Sequence, residues 1–117
     1  MHTRASGELG ERIAAAFLIL KGYRILDANV RVARREVDLL ATDGSAIIAV
    51  EVKLRWGRRF GVAAEAIDER KLARLRVALS GIARELGERG SPRIDVVTID
   101  IDESGDRMAV EHYVGVT

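Results

Sequence analysis

The amino-acid sequence predicts a single α/β domain in which a central mixed β-sheet of about five strands is flanked by two main helices. Residues 6–21 and a segment that starts at Asp68 carry apolar side chains at helical spacing. Residues 36–53 contain two strand-forming runs around a hairpin signal. Residues 93–101 alternate as a strand does, and 107–114 follow as its partner. The expected order is therefore helix, three strands, helix and two strands (α-β-β-β-α-β-β).

Length and composition restrict the class of protein. A chain of 117 residues suits one domain, 1–117, and 48% apolar with 32% charged residues is typical of a globular protein. The absence of cysteine excludes disulfides and thiolate metal sites. No apolar run reaches membrane-spanning length and the start lacks a signal-peptide core, so we expect a cytoplasmic protein without membrane contact.

Charge is unevenly distributed along the chain. The formal net charge of +1 gives no overall attraction to nucleic acid. Residues 31–76, however, contain eleven Lys or Arg against seven Asp or Glu. This local excess of positive charge favours contact with an anionic partner along that segment.

The first helix has two apolar stripes. The main one predicts the buried face and consists of Leu9, Ile13, Ala16, Phe17 and Leu20. Ser6 is the expected N-cap, and Gly22 ends the helix. A second stripe contains Ala14, Ala15 and Leu18 together with Glu11, which suggests that the helix is covered on more than one side. Glu11 is then either a carboxylate facing a cleft or a solvated acid in the first turns, and spacing leaves both interpretations open.

The hairpin is the segment around which the other elements are expected to pack. After a strand over 23–32, residues 36–42 and 46–52 flank Asp43-Gly44, which favours a two-residue turn. Residues 46–50 are apolar without alternation, as in a strand covered on both faces. We therefore place 46–52 in the middle of the sheet.

Charged residues follow this buried strand and need an explanation. A two-residue loop would set Thr42 against Ser45 and Glu36 against Glu51. Glu36, Asp38, Glu51 and Lys53 would then share one face, with Asp38 and Glu51 roughly 7–8 Å apart as diagonal neighbours, close enough to hold one cation. A three-residue loop would reverse the faces. Two interpretations remain: a metal site, or a polar sheet face on which Lys53 only neutralises its neighbours.

An acidic residue, a hairpin and then Glu-x-Lys resemble the active-site motif of the PD-(D/E)xK nuclease superfamily. Asp38, Glu51 and Lys53 match its acidic, acidic and lysine positions, while Val37 replaces the usual proline. The residue types suit the chemistry, because Mg²⁺ or Mn²⁺ takes carboxylate oxygens and activates a water that attacks phosphorus. Lys53 would orient that water or neutralise developing charge.

The residues after Lys53 are basic and aromatic. This segment contains Arg55, Trp56, Arg58, Arg59 and Phe60. Such side chains can contact phosphates and stack on unpaired bases. Trp56 and Phe60 are equally well explained as anchors of a loop on the core. In the second helix, leucines repeat at three and four residues, whereas Lys71 and Arg74 lie on the other face, where solvent is the commoner partner.

The whole chain resembles the YraN-type family of small bacterial proteins with a restriction-endonuclease-like fold, related to archaeal Holliday junction resolvases. The resemblance rests on motifs at residues 10–11, 22–26, 29–31, 36–40, 50–53, 60–61, 67–71 and 93–97. It implies that Glu11 is an active-site acid that contributes to a metal held by Asp38, Glu51 and the Val52 carbonyl. It also implies that Lys71 contacts phosphate. Arg35 stands where the family usually has glycine.

Two functions from different classes follow. The first is a Mg²⁺- or Mn²⁺-dependent endonuclease acting on branched or irregular DNA, with DNA contacts from Arg35, Arg55, Arg58, Arg59, Lys71 and Arg74. The second is a non-catalytic module that binds nucleic acid or protein and keeps the fold. A resolvase-like enzyme would act as a two-fold dimer. Its expected contact surfaces are Trp56 and the Ala14, Ala15 and Leu18 stripe.

Overall fold

The computed structural model describes residues 4–32, 35–57, 68–85 and 92–116. These residues form two helices and five strands in the predicted order. The bounds are α1 Arg4–Leu20, β1 Arg24–Val32, β2 Arg35–Thr42, β3 Ile47–Trp56, α2 Glu69–Glu85, β4 Arg93–Ile101 and β5 Met108–Tyr113. The α/β class is therefore confirmed. Neither of the two helices is long and apolar enough to span a lipid bilayer.

The five strands form one mixed sheet in the order β1-β2-β3-β4-β5. β3 pairs in parallel with β4, and the other neighbours are antiparallel. A parallel pair requires a crossover, and α2 lies in the connection between β3 and β4. β3 is thus the middle strand, as its uninterrupted apolar run predicts.

The two faces of the sheet carry separate cores. Ile48 and Val50 of β3 belong to the cluster that also contains Ala14 and Leu18 of α1. Ile47 and Ala49 belong to the opposite cluster, with leucines 72, 75 and 79 of α2. Alternation along β3 therefore sends successive side chains to α1 and α2 in turn. We call these sides the α1 face and the α2 face.

The second apolar stripe of α1 is buried more deeply than the main one. Ala14 and Leu18 are fully buried, whereas Leu9 is partly exposed and Leu20 is 86% exposed. Since Ala14 and Leu18 lie in the core, they cannot form the expected dimer contact. The helix also begins at Arg4, so Ser6 lies inside it rather than at its N-cap.

Close approach of α1 to the sheet explains this choice. A Cβ added at Gly10 would lie 3.4 Å from Leu54 Cβ and 3.5 Å from Val52 Cγ1. Gly10 and Ala14 therefore let the helix backbone pack directly on β3. A pattern search for bulky apolar residues favours the opposite stripe, because it weights size over closeness of packing.

The β2–β3 connection is longer than the two residues predicted. Thr42 pairs with Ile47 instead of facing Ser45, which leaves a four-residue turn. The Asp43 carboxylate holds this turn, since Oδ1 accepts hydrogen bonds from the Ser45 and Ala46 amides at 2.9 and 3.0 Å. Gly44 supplies the left-handed conformation with φ 99°. The predicted register is therefore wrong by two residues. The shift changes which residues lie opposite each other, but because it is an even number it does not by itself move a side chain to the other face of the sheet.

A second irregularity lies in β2 at Asp38. Leu39 belongs to the α1-face cluster and Val37 to the α2-face cluster, although residues two apart in a regular strand share a face. The β2–β3 ladder extends only from Thr42–Ile47 to Leu39–Val50. Alternation therefore breaks at Asp38, just where β2 and β3 stop pairing.

A buried polar network fixes one end of the sheet on the α1 face. Asp95 is fully buried and accepts hydrogen bonds from Arg93 Nε at 2.8 Å and from the Gly115 amide at 3.0 Å. Its Oδ2 lies 2.8 Å from His112 Nε2. Arg93 also donates to Tyr23 Oη at 2.9 Å and to the Asp43 carboxylate in the hairpin turn at 3.0 Å. The network therefore joins Tyr23 just before β1, the β2–β3 turn, β4 and β5.

These contacts keep Asp95 charged. Burial by itself raises the pKa of this carboxyl, but the hydrogen bonds from Arg93, Gly115 and His112 outweigh burial and hold the pKa below its ordinary value. A lowered folded-state pKa contributes stability above the unfolded-state pKa, and this contribution is lost as the pH falls through the folded-state value.

The packing of α1 gives a first testable prediction. Gly10→Val should lower the free energy of unfolding by about 1–3 kcal/mol, because its methyl groups would overlap the side chains of Val52 and Leu54. Gly81→Val in α2 is the matched control, since no atom lies within 4 Å of its added Cβ. Urea unfolding measures both variants. Equal stability of the two would contradict the close approach.

The network gives a second prediction. Asp95→Asn should lower the free energy of unfolding at pH 7 by up to about 3–5 kcal/mol, the scale for breaking a buried ion pair. The parent should lose stability on acidification below about pH 4, where unfolded Asp protonates. The variant should lose less, because this carboxyl no longer titrates. Asp106→Asn on the exposed turn is the control, and urea unfolding from pH 7 to pH 3 decides the outcome.

Candidate active site

The candidate site lies where β2 and β3 separate. The Val52 amide of β3 donates a hydrogen bond to Asp38 Oδ2 at 2.8 Å. Glu51, the preceding residue, is only 5% exposed, and Lys53 Nζ lies 3.7 Å from Glu51 Oε1. The Asp38 carboxylate of β2 therefore contacts β3 at Val52, between the Glu51 carboxylate and the Lys53 ammonium group in the chain.

The Glu51 carboxylate is unusually buried for a charged side chain. Removing a carboxylate from water is costly unless charge or hydrogen bonds compensate it. Lys53 supplies an opposite charge, and its side chain is only 28% exposed, so the pair is screened less than a surface pair. A carboxylate is a ligand for hard cations, and a partly exposed lysine can contact a phosphate group.

Polar residues of β4 lie beside Lys53 and Arg55 on the α2 face of the sheet. In the parallel ladder Thr98 lies opposite Lys53 and Asp100 lies opposite Arg55. Thr98 and Asp100 are each only 1% exposed. In the sequence this strand shows only an alternating pattern. The signal was present in Thr98 and Asp100, but the parallel register that sets them beside Lys53 and Arg55 is not visible in the sequence.

Glu11 belongs to a different cavity on the α1 face. A pocket of about 430 Å³ is lined by Gly7, Glu8, Glu11, Asn29 and Glu36. Burial raises the pKa of Glu11, a hydrogen bond from the Asn29 side chain opposes this, and the charges of Glu36 and Glu8 raise it further. Glu11 thus faces a cleft, which resolves the alternative that its spacing left open.

Glu36 is therefore not where the sequence placed it. It lines the α1-face pocket, whereas alternation from Ile47 and Ala49 places Glu51 and Lys53 on the α2 face. The expectation that Glu36 opposes Glu51 is wrong, because the four-residue turn and the irregularity at Asp38 change the facing residues. Within residues 4–32, 35–57, 68–85 and 92–116, no three Asp, Glu or His side chains form a group that could hold a metal ion.

Asn29 is a residue of this region to which sequence reasoning gave no role beyond its place in a family motif. It is the one non-glycine residue with positive φ, 54°, in the described part of the chain. β1 also shifts register between Ile25 and Asp27. Asparagine tolerates the left-handed region better than most residues, so its identity was a weak signal.

Trp56 and the basic residues predicted to contact DNA lie on several elements of the fold. Trp56 packs against the α1-face core, and its indole Nε1 is buried with no hydrogen-bond partner in the described segments. Arg55 is half-buried on β3 and Arg74 is exposed on α2. Arg35 begins β2 and Lys71 lies in the first turn of α2. Their side chains, like Arg58, Arg59 and Phe60, lie outside the described part of the structure.

The α2 N-terminus follows the sequence prediction. The Asp68 carboxylate accepts a hydrogen bond from the Arg70 amide at 3.0 Å, and its carbonyl accepts one from Leu72 at 3.1 Å. This is the geometry of an N-cap residue. The cap fixes the start of the helix whose first turn contains Lys71.

The sheet order and the flanking helices define a small α/β protein consistent with a nuclease-like fold. The chain belongs to the family described as "Uncharacterised protein family UPF0102", the YraN-like family, whose model matches residues 10–99. This confirms the resemblance drawn from the motifs.

Curated relatives agree with this assignment over nearly the whole chain. A UPF0102 protein of Symbiobacterium thermophilum is 43% identical over 104 residues, covering 88% of each chain. One from Renibacterium salmoninarum is 44% identical over 110 residues, covering 93% of this chain and 92% of the relative. One from Moorella thermoacetica is 40% identical over 115 residues, covering 95% and 93%.

Proposed function

We propose that this chain is a divalent-metal-dependent endonuclease that hydrolyses phosphodiester bonds in DNA. The observation that carries the proposal is the buried Glu51 carboxylate with Lys53 at 3.7 Å, beside an Asp38 carboxylate held on the Val52 amide at 2.8 Å. A sheet needs none of these charges at its centre for stability, since apolar residues would pack there at lower cost. Their presence is explained by chemistry on an anionic substrate.

The donor atoms suit Mg²⁺ or Mn²⁺. Asp38, Glu51 and the Val52 carbonyl supply oxygen, the ligand type that these hard cations prefer. Such cations are commonly bound by one or two protein carboxylates, with water and substrate phosphate completing the shell, so a group of three carboxylates is not required. When bound, the metal would polarise the phosphate and lower the pKa of a water ligand.

The protein residues have separate roles in this proposal. Lys53, partly exposed, holds the attacking water or stabilises negative charge that develops on the phosphate. The Val52 amide orients Asp38 by donating to one of its oxygens. Glu11 lies on the other side of the sheet from Lys53, in the α1-face pocket where Asn29 hydrogen-bonds its side chain, and would add a further carboxylate only where β2 and β3 separate.

The substrate in this proposal is DNA of branched or irregular structure. Arg55 on β3 and the exposed Arg74 on α2 would contact phosphates, together with Arg35, Arg58, Arg59 and Lys71. Symmetric cleavage of a junction requires two sites related by a two-fold axis, so the enzyme would act as a homodimer. Its interface does not include Ala14 or Leu18, since both are buried in the core.

One observation favours a second candidate, a non-catalytic module that binds nucleic acid or protein. Lys53 already lies within ion-pair distance of Glu51 and so compensates part of its charge without a metal. In that case the pair is structural, and loss of Lys53 would affect stability rather than a reaction. The two functions therefore differ in what Lys53 does.

Metal binding is tested by calorimetry with Mn²⁺. Asp38→Asn retains a carbonyl oxygen for the Val52 amide and removes the negative charge. We expect Mn²⁺ affinity to fall by roughly tenfold or more, since one of two carboxylate ligands is lost. Glu103→Gln, in the exposed turn between β4 and β5, is the control and should bind as the parent does. Equal heats for the parent and Asp38→Asn would refute the site.

Catalysis is tested with Lys53→Met, which keeps the aliphatic stem and removes the ammonium group. Single-turnover cleavage of junction, flap, single-stranded and duplex DNA should fall by roughly a hundredfold, the scale for losing a preorganised electrostatic group. DNA affinity should fall by only about one phosphate contact, because other basic residues remain.

The control for this experiment is Arg107→Met, at an exposed position before β5. It removes one positive charge away from the site and should leave single-turnover cleavage unchanged. A lower melting temperature of Lys53→Met, with activity lost only in proportion to unfolded protein, would favour the binding module. A parent that cleaves none of the four DNA structures with either metal would refute the nuclease.

A further inference from the structure

Asn29 adopts a conformation that a strand interior does not normally contain. It lies in the middle of β1 with φ 54°, in the left-handed region. For residues other than glycine this region is unfavourable, and asparagine is among those that tolerate it best. Strain of this kind persists only where surrounding structure holds it, and it concentrates at functional sites.

The position opposite Asn29 is Asp38. β1 pairs Ala28 with Leu39 and Val30 with Val37, so Asn29 and Asp38 face each other between these two pairs. Both residues are irregular: Asn29 in its backbone conformation, and Asp38 because side-chain alternation along β2 breaks there. Two adjacent strands therefore depart from regular geometry at the same level.

The irregularity of β2 affects where the Asp38 carboxylate lies. Because β2 is irregular at this level, the Asp38 side chain reaches across to β3, where Oδ2 accepts the Val52 amide hydrogen bond at 2.8 Å. In a regular strand its side chain would stand on one face of the sheet. The position of the Asp38 carboxylate thus depends on an irregularity that β1 shares.

The side chain of Asn29 explains why the position is not glycine. It lines the α1-face pocket with Glu11 and Glu36 and forms a hydrogen bond with the Glu11 side chain. Glycine would permit the backbone conformation but would leave Glu11 without this contact. Asparagine supplies both.

We propose that Asn29 is a positioning residue of the site: its left-handed backbone lets Asp38 leave the regular ladder, and its side-chain amide holds Glu11. The catalytic meaning of this role rests on the proposed nuclease function. The structural coupling of Asn29 to Asp38 does not, and it can be tested without substrate or metal.

The test uses the Val52 amide as a reporter. Its NMR chemical shift and hydrogen-exchange rate report the bond to Asp38. Asn29→Ala and Asn29→Val disfavour the left-handed region, so we expect exchange at Val52 to accelerate by roughly tenfold or more relative to neighbouring β3 amides. Asn29→Gly and Asn29→Asp tolerate that region and should keep the parent shift and protection.

Gly44→Ala is the matched control. It imposes the same kind of backbone strain, at φ 99° in the β2–β3 turn, but away from Asn29. It should lower the melting temperature while leaving the Val52 amide protected relative to its neighbours. If Gly44→Ala altered Val52 as much as Asn29→Ala, or if Asn29→Ala left it unchanged, the proposal would be overturned.

The glycine and aspartate variants keep the test decisive. Should the alanine and valine variants fail to fold, Asn29→Gly and Asn29→Asp still must preserve the Val52 contact, and its loss in both would overturn the proposal. For the site itself, Asn29→Ala should weaken Mn²⁺ binding by roughly tenfold to a hundredfold, as for residues that orient metal ligands. If the Val52 reporter responds as expected but the parent binds no Mn²⁺, the positioning role stands and the nuclease proposal fails.

Discussion

The hydrogen bond from the Val52 amide to Asp38 is the interaction on which the site depends. At 2.8 Å it replaces ladder pairing where β2 and β3 separate, and it connects a side chain of one strand to the backbone of the next. Without it, the central strand would have an unsatisfied amide at a partly buried position, which is costly. The same contact fixes the Asp38 carboxylate on the residue that follows the buried Glu51, so in the proposed function one hydrogen bond would serve both stability and chemistry.

The charged residues of the candidate site lie on both faces of the sheet. Asp38 lies where β2 and β3 separate, between the two groups. Glu51 and Lys53 belong to the α2 face, while Glu11 and Glu36 line the α1-face pocket. This division reduces repulsion among carboxylates, because the sheet lies between the two groups. It also means that a substrate contacting all of them must approach the edge at which β2 and β3 part, not one flat face of the sheet.

Rigid elements on both sides hold this arrangement. α1 packs its backbone on Val52 and Leu54 through Gly10, next to Glu11 in the chain. At the other end of the β2–β3 hairpin, Arg93 joins the Asp43 carboxylate to the buried Asp95. The hairpin is therefore fixed at its turn and at its separation point. In the proposed function, such support would keep the side chains of the candidate site within the narrow tolerance that catalysis requires.

The sequence by itself determined the α/β class, the order of elements, the central place of β3, the Asp68 cap and the family, because each depends on local pattern or on motifs. It also singled out Asp38, Glu51 and Lys53 as candidate site residues, because they lie on one hairpin, and their role stays a prediction. Only the tertiary structure decided the buried face of α1, the face on which Glu36 lies and the conformation of Asn29. These depend on closeness of packing, turn length and strand register, where one irregular residue changes the face of every residue after it.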